Sequence, residues 1–263
     1  MPCVAPRAGG LPLDRSDWLV ERPLITAHRG AARAAPENTL AAFEAAAALG
    51  VDAVELDTKL TRDGQAVVIH DQTLERTTNG RGRVSAHTLA ELEALDAGSH
   101  FGPEYAGEAV PSLRRVLEAL AGRLLVNIEI ANYVSVRDAL PEAVVATVRG
   151  CGVEQRVLFS SFNPLALRTA RRLAPEIPCG LLLMPRQPRW QRWLFPRMAP
   201  HEFEHLQESL IRARWRPGSG RRRVAWVVSD LERMRALLRQ GVSGLITDRP
   251  ELALQARREV LGD

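Results

Sequence analysis

The chain contains few cysteines, and they form no recognisable pattern. Cys3, Cys151 and Cys179 are the only three among 263 residues. An odd number of cysteines without paired spacing matches neither a disulfide framework nor a zinc motif. We therefore expect a reducing compartment and no structural zinc.

Long apolar segments are also absent from the sequence. The longest apolar run, 177–184, contains a proline and is far shorter than the roughly 20 residues of a membrane-spanning helix. The first residues are rich in proline and glycine and lack the apolar centre of a signal peptide. The sequence thus predicts a soluble, cytoplasmic protein.

Lysine is almost missing, since Lys59 is the only one in the chain. Arginine supplies the other basic residues, and the formal net charge is +4. This balance reflects either genome base composition or an anionic partner. The arginine run at 221–223 is shorter than the basic stripe that follows a nucleic-acid backbone, so we predict no nucleic-acid partner.

Apolar, β-branched runs alternate with Ala- and Leu-rich stretches along most of the chain. Strands are predicted at 24–28, 53–60, 66–70, 124–130, 157–160, 180–183, 224–228 and 244–247, with a weaker ninth candidate near 203–206. Helices are predicted at 39–49, 89–95, 113–121, 139–149, 164–173 and 231–240, several with a C-cap glycine at Gly50, Gly122, Gly150 or Gly241. This alternation predicts an α/β fold, a distorted (β/α)8 TIM barrel, although nine strand candidates compete for eight places.

One connection breaks the alternation. Only residues 61–65 separate the second and third predicted strands, whereas a parallel crossover needs about a dozen residues or more. These two strands are therefore predicted to form an antiparallel hairpin at the barrel mouth. The polar, glycine-rich stretch of about 71–110 is a small insertion after the third strand. We predict an N-terminal extension at 1–22 and one barrel domain at 23–258.

Polar residues stand at the ends of predicted strands, where the active sites of TIM barrels lie. The first strand ends in His28-Arg29-Gly30. His28 and Arg29 can serve one site only if the chain bends there, which Gly30 permits. The arginine either binds a phosphate through its planar guanidinium or lies at an ordinary strand-end turn.

Three carboxylates are predicted to point into the barrel. Glu55 and Asp57 share one face of the second strand, and Glu129 shares a face with Asn127 on a later strand. Buried carboxylates repel each other, so either an ion-pair network or a cation must offset their charges. Oxygen ligands without Cys or His spacing favour one hard divalent cation, Mg²⁺ or Ca²⁺.

The third predicted strand ends in His70-Asp71, which is either a second catalytic imidazole or an ordinary strand-end pair. Two imidazoles fit a general acid and a general base, each typically worth about 10²- to 10⁴-fold in rate. An arginine and a cation stabilise negative charge on a phosphoryl group. The combined set of residues favours phosphodiester cleavage.

Ordered motifs between about residues 24 and 252 resemble those of the glycerophosphodiester phosphodiesterase family. They are His28-Arg29-Gly30, Pro36-Glu37-Asn38-Thr39, Glu55-Leu56-Asp57, Asp63-Gly64, His70-Asp71, Arg76-Thr77-Thr78-Asn79-Gly80, Leu95-Asp96-Ala97-Gly98, Pro111-Ser112-Leu113 and Ile246-Thr247-Asp248-Arg249-Pro250. The resemblance implies a role for each of seven residues: His28 and His70 as acid and base, Glu55, Asp57 and Glu129 as metal ligands, and Arg29 and Trp226 as substrate-binding residues.

Members of this family release sn-glycerol 3-phosphate and an alcohol from glycerophosphodiesters. The resemblance therefore implies that the substrate is a small-molecule glycerophosphodiester. The implied route is attack by the neighbouring glycerol hydroxyl, giving a cyclic phosphate that water then opens. No feature of the sequence predicts the leaving alcohol, the choice between Mg²⁺ and Ca²⁺, which histidine is the acid, or the oligomeric state.

Two other functions stay open from the sequence. One is a lysophospholipase D-type activity on lysolipids, and the other is a catalytically silent barrel that binds an anion or a partner. The segment 184–198 holds Trp190, Trp193 and Phe195 among four arginines. It either contacts a membrane surface weakly or packs on the barrel as a loop and helix.

The chain departs from the resemblance at Ala131, where family members usually carry a lysine that helps to hold the phosphate. We predict that Ala131→Lys raises kcat/KM for glycerophosphodiesters, because it adds a cation beside the phosphate. Steady-state kinetics of the variant and the parent protein check this. An unchanged or lower kcat/KM would mean that another group already fills the role.

Overall fold

The computed structural model describes residues 17–120, 122–132, 137–211 and 221–262. Its strands are β1 (Leu24–His28), β2 (Ala53–Leu60), β3 (Ala66–Val68), β4 (Leu125–Ile130), β5 (Val157–Ser161), β6 (Cys179–Leu183), β7 (Phe203–Gln207), β8 (Arg222–Trp226) and β9 (Gly244–Thr247). Its α-helices are α1 (Leu40–Ala48), α2 (Leu89–Glu93), α3 (Leu113–Leu120), α4 (Leu140–Cys151), α5 (Pro164–Leu173), α6 (Arg189–Met198), α7 (Leu231–Arg239) and α8 (Pro250–Leu261).

Eight of the strands in these described ranges are parallel and form a closed barrel. Around the barrel the order is β1, β2, β4, β5, β6, β7, β8 and β9, and β9 pairs back with β1. The predicted (β/α)8 TIM barrel is confirmed. The weak candidate near 203–206 is a true barrel strand, and the ninth strand, β3, lies outside the barrel.

The predicted hairpin is also confirmed. β3 runs antiparallel to β2, with Thr58 opposite Val68 and Leu60 opposite Ala66. The turn between them contains Gly64 in the left-handed region, at φ +75°. This hairpin extends β2 beyond the barrel edge and carries the chain to His70 at the mouth.

The insertion after the third strand folds around its own apolar cluster. It contains α2 and two single 3₁₀ turns, Val84–Ala86 and Pro103–Tyr105. The buried side chains of this cluster are Val67, Ile69, Leu74, Val84, Leu92, Ala97 and Val110. The insertion is therefore packed against the β2–β3 hairpin and holds the residues around 70–80 beside the barrel mouth.

The interior of the barrel changes from apolar to polar along its axis. One buried apolar cluster takes one residue from each of seven barrel strands, together with Trp18. It consists of Trp18, Leu24, Ala53, Leu125, Leu158, Phe203, Val224 and Ile246. Two residues further along β2, β4 and β1 the inward side chains become polar, as period-2 alternation requires. Polar groups are thus collected at the carboxyl ends of the strands.

The sequence prediction was wrong at two places. The left-handed cap of α4 is Gly152 (φ +66°), whereas Gly150 lies inside the helix. The C-terminal helix α8 was not predicted, although Pro250 at its first turn is a typical helix start. For 184–198, one of the two alternatives from the sequence was a loop and helix packed on the barrel. The structure contains a helix there, α6, with Pro196 inside it.

Other element bounds agree within two residues. Ala121 and residues 1–16 of the predicted N-terminal extension lie outside the described residues. Within the described ranges, none of the helices has the length and apolar character to cross a membrane.

Candidate active site

A cavity of about 420 Å³ opens at the carboxyl ends of the barrel strands. All seven residues singled out in the sequence line it, together with six others. The full lining is His28, Arg29, Glu55, Asp57, His70, Asn127, Glu129, Phe162, Leu182, Met184, Gln187, Trp226 and Ile246. The structure therefore brings every predicted site residue to one place, although they are spread over about 200 positions of sequence, from 28 to 226.

A sharp turn after β1 lets both His28 and Arg29 reach the cavity. Arg29 has φ +55° and Gly30 has φ +82°, so the chain leaves the strand there. A Cβ atom on Gly30 would lie 2.7 Å from the backbone carbon of Ala42. Glycine is thus required at position 30 both by the left-handed backbone and by the close approach of α1.

The three carboxylates meet because β2 and β4 are neighbours. Asp57 is the register partner of Glu129, and Glu55 precedes Asp57 on the same inward face. One carboxylate oxygen from each of the three residues lies within 4.8 Å of the others. Burial, followed by the negative charge of Asp57, raises the pKa of Glu55 to about 8 and that of Glu129 to about 8.

This carboxylate cluster fits a divalent cation. Carboxylate oxygens are the ligands that hard cations such as Mg²⁺ and Ca²⁺ prefer. Burial and mutual repulsion disfavour three negative charges at this spacing, in agreement with the raised pKa values of Glu55 and Glu129. Arg29 offsets part of the charge, since its Nε lies 3.2 Å from Asp57 Oδ2.

Asn38 holds Asp57 in place from the loop before α1. Its Nδ2 donates to Asp57 Oδ2 at 3.0 Å, and its Oδ1 accepts from the Asp57 backbone N–H at 3.3 Å. Asn38 is buried and has φ +59°, a left-handed conformation that asparagine tolerates better than most residues. Its backbone N–H also donates to the Arg29 carbonyl at 3.0 Å, which ties this loop to the β1 turn.

His28 is oriented by a residue from the far end of the chain. Its Nδ1 lies 2.6 Å from Oδ1 of Asp248, which follows β9. Burial acts to lower the pKa of His28, but the hydrogen bond to Asp248 and the charge of Glu55 outweigh it and raise the pKa above 6.5. With Asp248 ionised, Nδ1 carries the proton and Nε2 is the exchangeable nitrogen, 3.9 Å from Glu55 Oε2.

His70 is oriented by the adjacent Asp71 in a similar way. The His70 Nδ1 and Asp71 Oδ1 atoms are 2.6 Å apart. Arg76 donates to Asp71 from Nε at 2.6 Å and to both oxygens of Glu37 at 2.9 and 2.7 Å. Arg76 lowers the pKa of Asp71 to about 2, so this carboxylate is an acceptor at neutral pH.

The same network of ion pairs also includes Arg29. Glu37 also accepts from Arg29 Nη1 at 2.9 Å, so Arg29, Glu37 and Arg76 form a continuous chain of ion pairs. Burial of Glu37 opposes its ionisation, but the hydrogen bonds from Arg76 and Arg29 lower its pKa to about 2. These ion pairs connect Arg29, the predicted phosphate-binding residue, to Arg76, which holds the Asp71 partner of His70.

Lys59 brings a further cation to the site from inside the barrel wall. It follows Glu55 and Asp57 at two-residue spacing on β2, is buried, and its Nζ donates to the Ala131 carbonyl at 2.9 Å. Burial lowers the pKa of Lys59, against the opposing effect of Asp57 and Glu129. If Ala131→Lys leaves kcat/KM unchanged, Lys59 is the group that already supplies the positive charge there.

The other side of the cavity is apolar. Its wall consists of Phe162, Leu182, Met184, Trp226 and Ile246. The rings of Phe162 and Trp226 pack edge to face, with centroids 5.5 Å apart. Trp226 is fixed by its Nε1, which donates to the His205 carbonyl at 2.9 Å. The cavity thus offers one charged side and one apolar side to a ligand.

The sequence interpretation gave no role to the residues that support the site. Asn38, Glu37, Arg76 and Asp248 all belong to motifs that the sequence contains, but their partners are set by the fold. Lys59 had a usable signal, because it continues the inward period of Glu55 and Asp57.

Comparisons with known proteins agree with this geometry. The model of the glycerophosphoryl diester phosphodiesterase family matches residues 28–252. A glycerophosphodiester phosphodiesterase of Caldanaerobacter subterraneus subsp. tengcongensis is 38% identical over 243 residues, covering 90% of this chain and 99% of the relative.

Solved structures are similar over nearly the whole barrel. A phosphodiesterase of Oleispira antarctica, in complex with the product sn-glycerol-3-phosphate, is 32% identical with a TM-score of 0.77, covering 89% of this chain and 96% of that one. A glycerophosphodiester phosphodiesterase of Agrobacterium tumefaciens is also 32% identical, with a TM-score of 0.73, covering 89% of this chain and 99% of that one.

The close approach at Gly30 predicts the stability of two matched variants. Gly30→Ala and Gly64→Ala both place alanine at similar positive φ, +82° and +75°, but a Cβ at Gly64 meets no atom within 4 Å. We expect Gly64→Ala to lower the free energy of unfolding by about 1 kcal/mol and Gly30→Ala by about 2–4 kcal/mol. Urea unfolding of both variants measures the difference, and equal losses would contradict the requirement for glycine at the β1 turn.

Proposed function

The chain belongs to the glycerophosphoryl diester phosphodiesterase family and is a phosphoric diester hydrolase, and on this premise we propose that it hydrolyses glycerophosphodiesters to sn-glycerol 3-phosphate and an alcohol. We further propose that it does so with one divalent cation, Mg²⁺ or Ca²⁺. The observation that supports this most strongly is the meeting of two histidines, three carboxylates and an arginine in one cavity.

Glu55, Asp57 and Glu129 would hold the cation. Their oxygen donors and mutual spacing fit a hard ion, and their raised pKa values indicate a need for positive charge. When bound, a divalent cation polarises phosphoryl oxygens and lowers the pKa of a coordinated hydroxyl group. Asn38 keeps Asp57 in one orientation, so that a site is present before the ion arrives.

His28 and His70 would move the protons. In the first step the glycerol 2-hydroxyl attacks phosphorus, one imidazole takes the hydroxyl proton at Nε2, and the other gives a proton to the departing alcohol oxygen. A new O–P bond forms as the alcohol O–P bond breaks, which leaves a cyclic phosphate. Water then opens the ring with the two imidazoles in reversed roles. Asp248 and Asp71 keep Nδ1 of each ring protonated and Nε2 available.

Arg29 would bind the phosphate. The left-handed turn after β1 directs its guanidinium into the cavity, where the ion pairs with Glu37 and Asp57 limit its motion. Arg76 would act indirectly, because it holds Glu37 and Asp71 and so positions both Arg29 and His70. Trp226 would contact the organic part of the substrate through its indole face.

A second candidate is hydrolysis of single-chain lysolipids. The observation in its favour is the apolar wall of the cavity, which consists of Phe162, Leu182, Met184, Trp226 and Ile246. An alkyl chain that leaves the charged side of the cavity would run along this wall. The same cation, histidines and arginine would serve both substrates.

The remaining sequence predictions stay predictions. We expect the cavity to bind a small anionic diester, and we expect no nucleic-acid partner. A cytoplasmic location and a weak membrane contact through 184–198 are predictions of the sequence, as is the division into an extension at 1–22 and a barrel domain at 23–258.

We predict release of glycerol 3-phosphate from glycerophosphocholine and glycerophosphoethanolamine with Mg²⁺ or Ca²⁺, and none with EDTA. His70→Ala should lower the rate by about 10²- to 10⁴-fold, because one proton transfer is lost. The matched control is His100→Ala, since His100 is exposed in the insertion and does not line the cavity. An enzyme-coupled glycerol 3-phosphate assay measures all of these rates.

The outcomes separate the candidate functions. Equal loss in His70→Ala and His100→Ala would contradict the assignment of His70. Release of choline from lysophosphatidylcholine, with no glycerol 3-phosphate from either deacylated diester, would favour the lysolipid activity. No release from any of the substrates would favour a binding barrel without catalysis.

A further inference from the structure

We propose that α6 and the loop before it, residues 184–198, form a docking surface for an anionic lipid bilayer. We call this segment the mouth helix. It would hold the opening of the cavity against a membrane surface. The proposal uses the position of the proposed active site but not its chemistry, so it can be tested without any assay of catalysis.

The mouth helix exposes two large aromatic side chains. Trp190 is 59% exposed and Trp193 is 60% exposed, more than the other large apolar residues of the described chain. No residue of α6 is fully buried, and Phe195 is the one that packs partly against the core. Indole rings with a polar N–H and an apolar body favour the boundary between lipid headgroups and acyl chains.

The charge of the mouth helix identifies the partner. Four arginines, Arg186, Arg189, Arg192 and Arg197, lie among the aromatic residues, and the segment contains no aspartate or glutamate. The Arg197 guanidinium lies over the Trp193 ring, 4.2 Å from its centroid. The neighbouring helix α5 contains no acidic residue either. A second copy of this surface would be repelled, whereas anionic headgroups complement it.

The position of the mouth helix connects it to the cavity. Met184 and Gln187, at its beginning, both line the cavity wall. Their loop is closed by two hydrogen bonds, from the Met184 backbone N–H to Gln187 Oε1 at 2.9 Å and from the Gln187 N–H to the Met184 carbonyl at 3.2 Å. The cavity wall and the exposed Trp190 are therefore only a few residues apart along the chain.

Vesicle flotation tests this surface directly. We expect the full chain to bind vesicles of equal parts phosphatidylcholine and phosphatidylglycerol at low salt, and to bind phosphatidylcholine vesicles at least about tenfold more weakly. Trp190→Ser with Trp193→Ser should lower binding to the anionic vesicles by about tenfold or more, because the apolar contact is lost. Leu49→Ser is the matched control, since Leu49 is an exposed apolar residue just after α1, and its replacement should leave binding unchanged.

Two readouts keep this test separate from the proposed function. Hydrolysis of soluble glycerophosphocholine should be the same in the double tryptophan variant as in the parent chain, since neither tryptophan lines the cavity. Vesicle binding without hydrolysis would retain the docking surface and reject the proposed activity.

Three results would overturn the docking proposal. The first is the absence of binding to anionic vesicles by the parent chain. The second is equal binding by the parent and the double variant. The third is a parent chain that dimerises in solution through 184–198, shown by a monomeric double variant in sedimentation, which would make the surface a contact between copies.

Discussion

The mutual repulsion of three carboxylates is the constraint on which the rest of this structure depends. Glu55, Asp57 and Glu129 lie on adjacent strands with oxygens within 4.8 Å of each other, and all three line the cavity at the barrel mouth. Burying such charges without compensation is unfavourable. The surrounding residues are arranged to reduce this cost: Arg29 pairs with Asp57, Asn38 donates to it, and Lys59 lies further along the same face of β2.

Closure of the barrel brings residues that are distant in the sequence together in one site. The pairing of β1 with both β2 and β9 brings His28 to Asp248, which is 220 residues away in the chain. The β2–β3 hairpin and the insertion bring His70 and Arg76 to the same edge from outside the barrel. The site therefore has an inner part, supplied by barrel strands, and an outer part, supplied by the insertion, and Glu37 joins the two through its arginine partners.

Local periodicity and strand ends were enough to predict the inner part of the site. Two-residue alternation placed Glu55, Asp57 and Glu129 on inward faces, and the glycine after Arg29 indicated the bend. The support of each histidine could not be predicted in this way, because the contact between His28 and Asp248 depends on strand order. The helix α8 was not predicted, and Gly150 was predicted as the cap of α4 although it lies inside the helix. In the structure, Gly152 is the one that adopts the left-handed conformation.

We propose that the carboxylate cluster holds a divalent cation, and the pH dependence of the protein's stability tests this proposal. The folded-state pKa values of Glu55 and Glu129 are raised from 4.5 to about 8, so the folded cation-free protein binds more protons than the unfolded chain between these values. Its stability should therefore be greatest at the acidic end of this window and fall as pH rises through it. A bound divalent cation favours the ionised form and should reverse this loss.

The measurement is the thermal unfolding temperature between pH 5 and 8, in EDTA and with saturating Mg²⁺ or Ca²⁺. We expect the cation to raise the unfolding temperature by an amount that increases as pH rises. The double variant Glu55→Gln with Glu129→Gln should abolish this increase in unfolding temperature. An increase that is constant with pH, or that persists in the double variant, would contradict a cation site at these carboxylates.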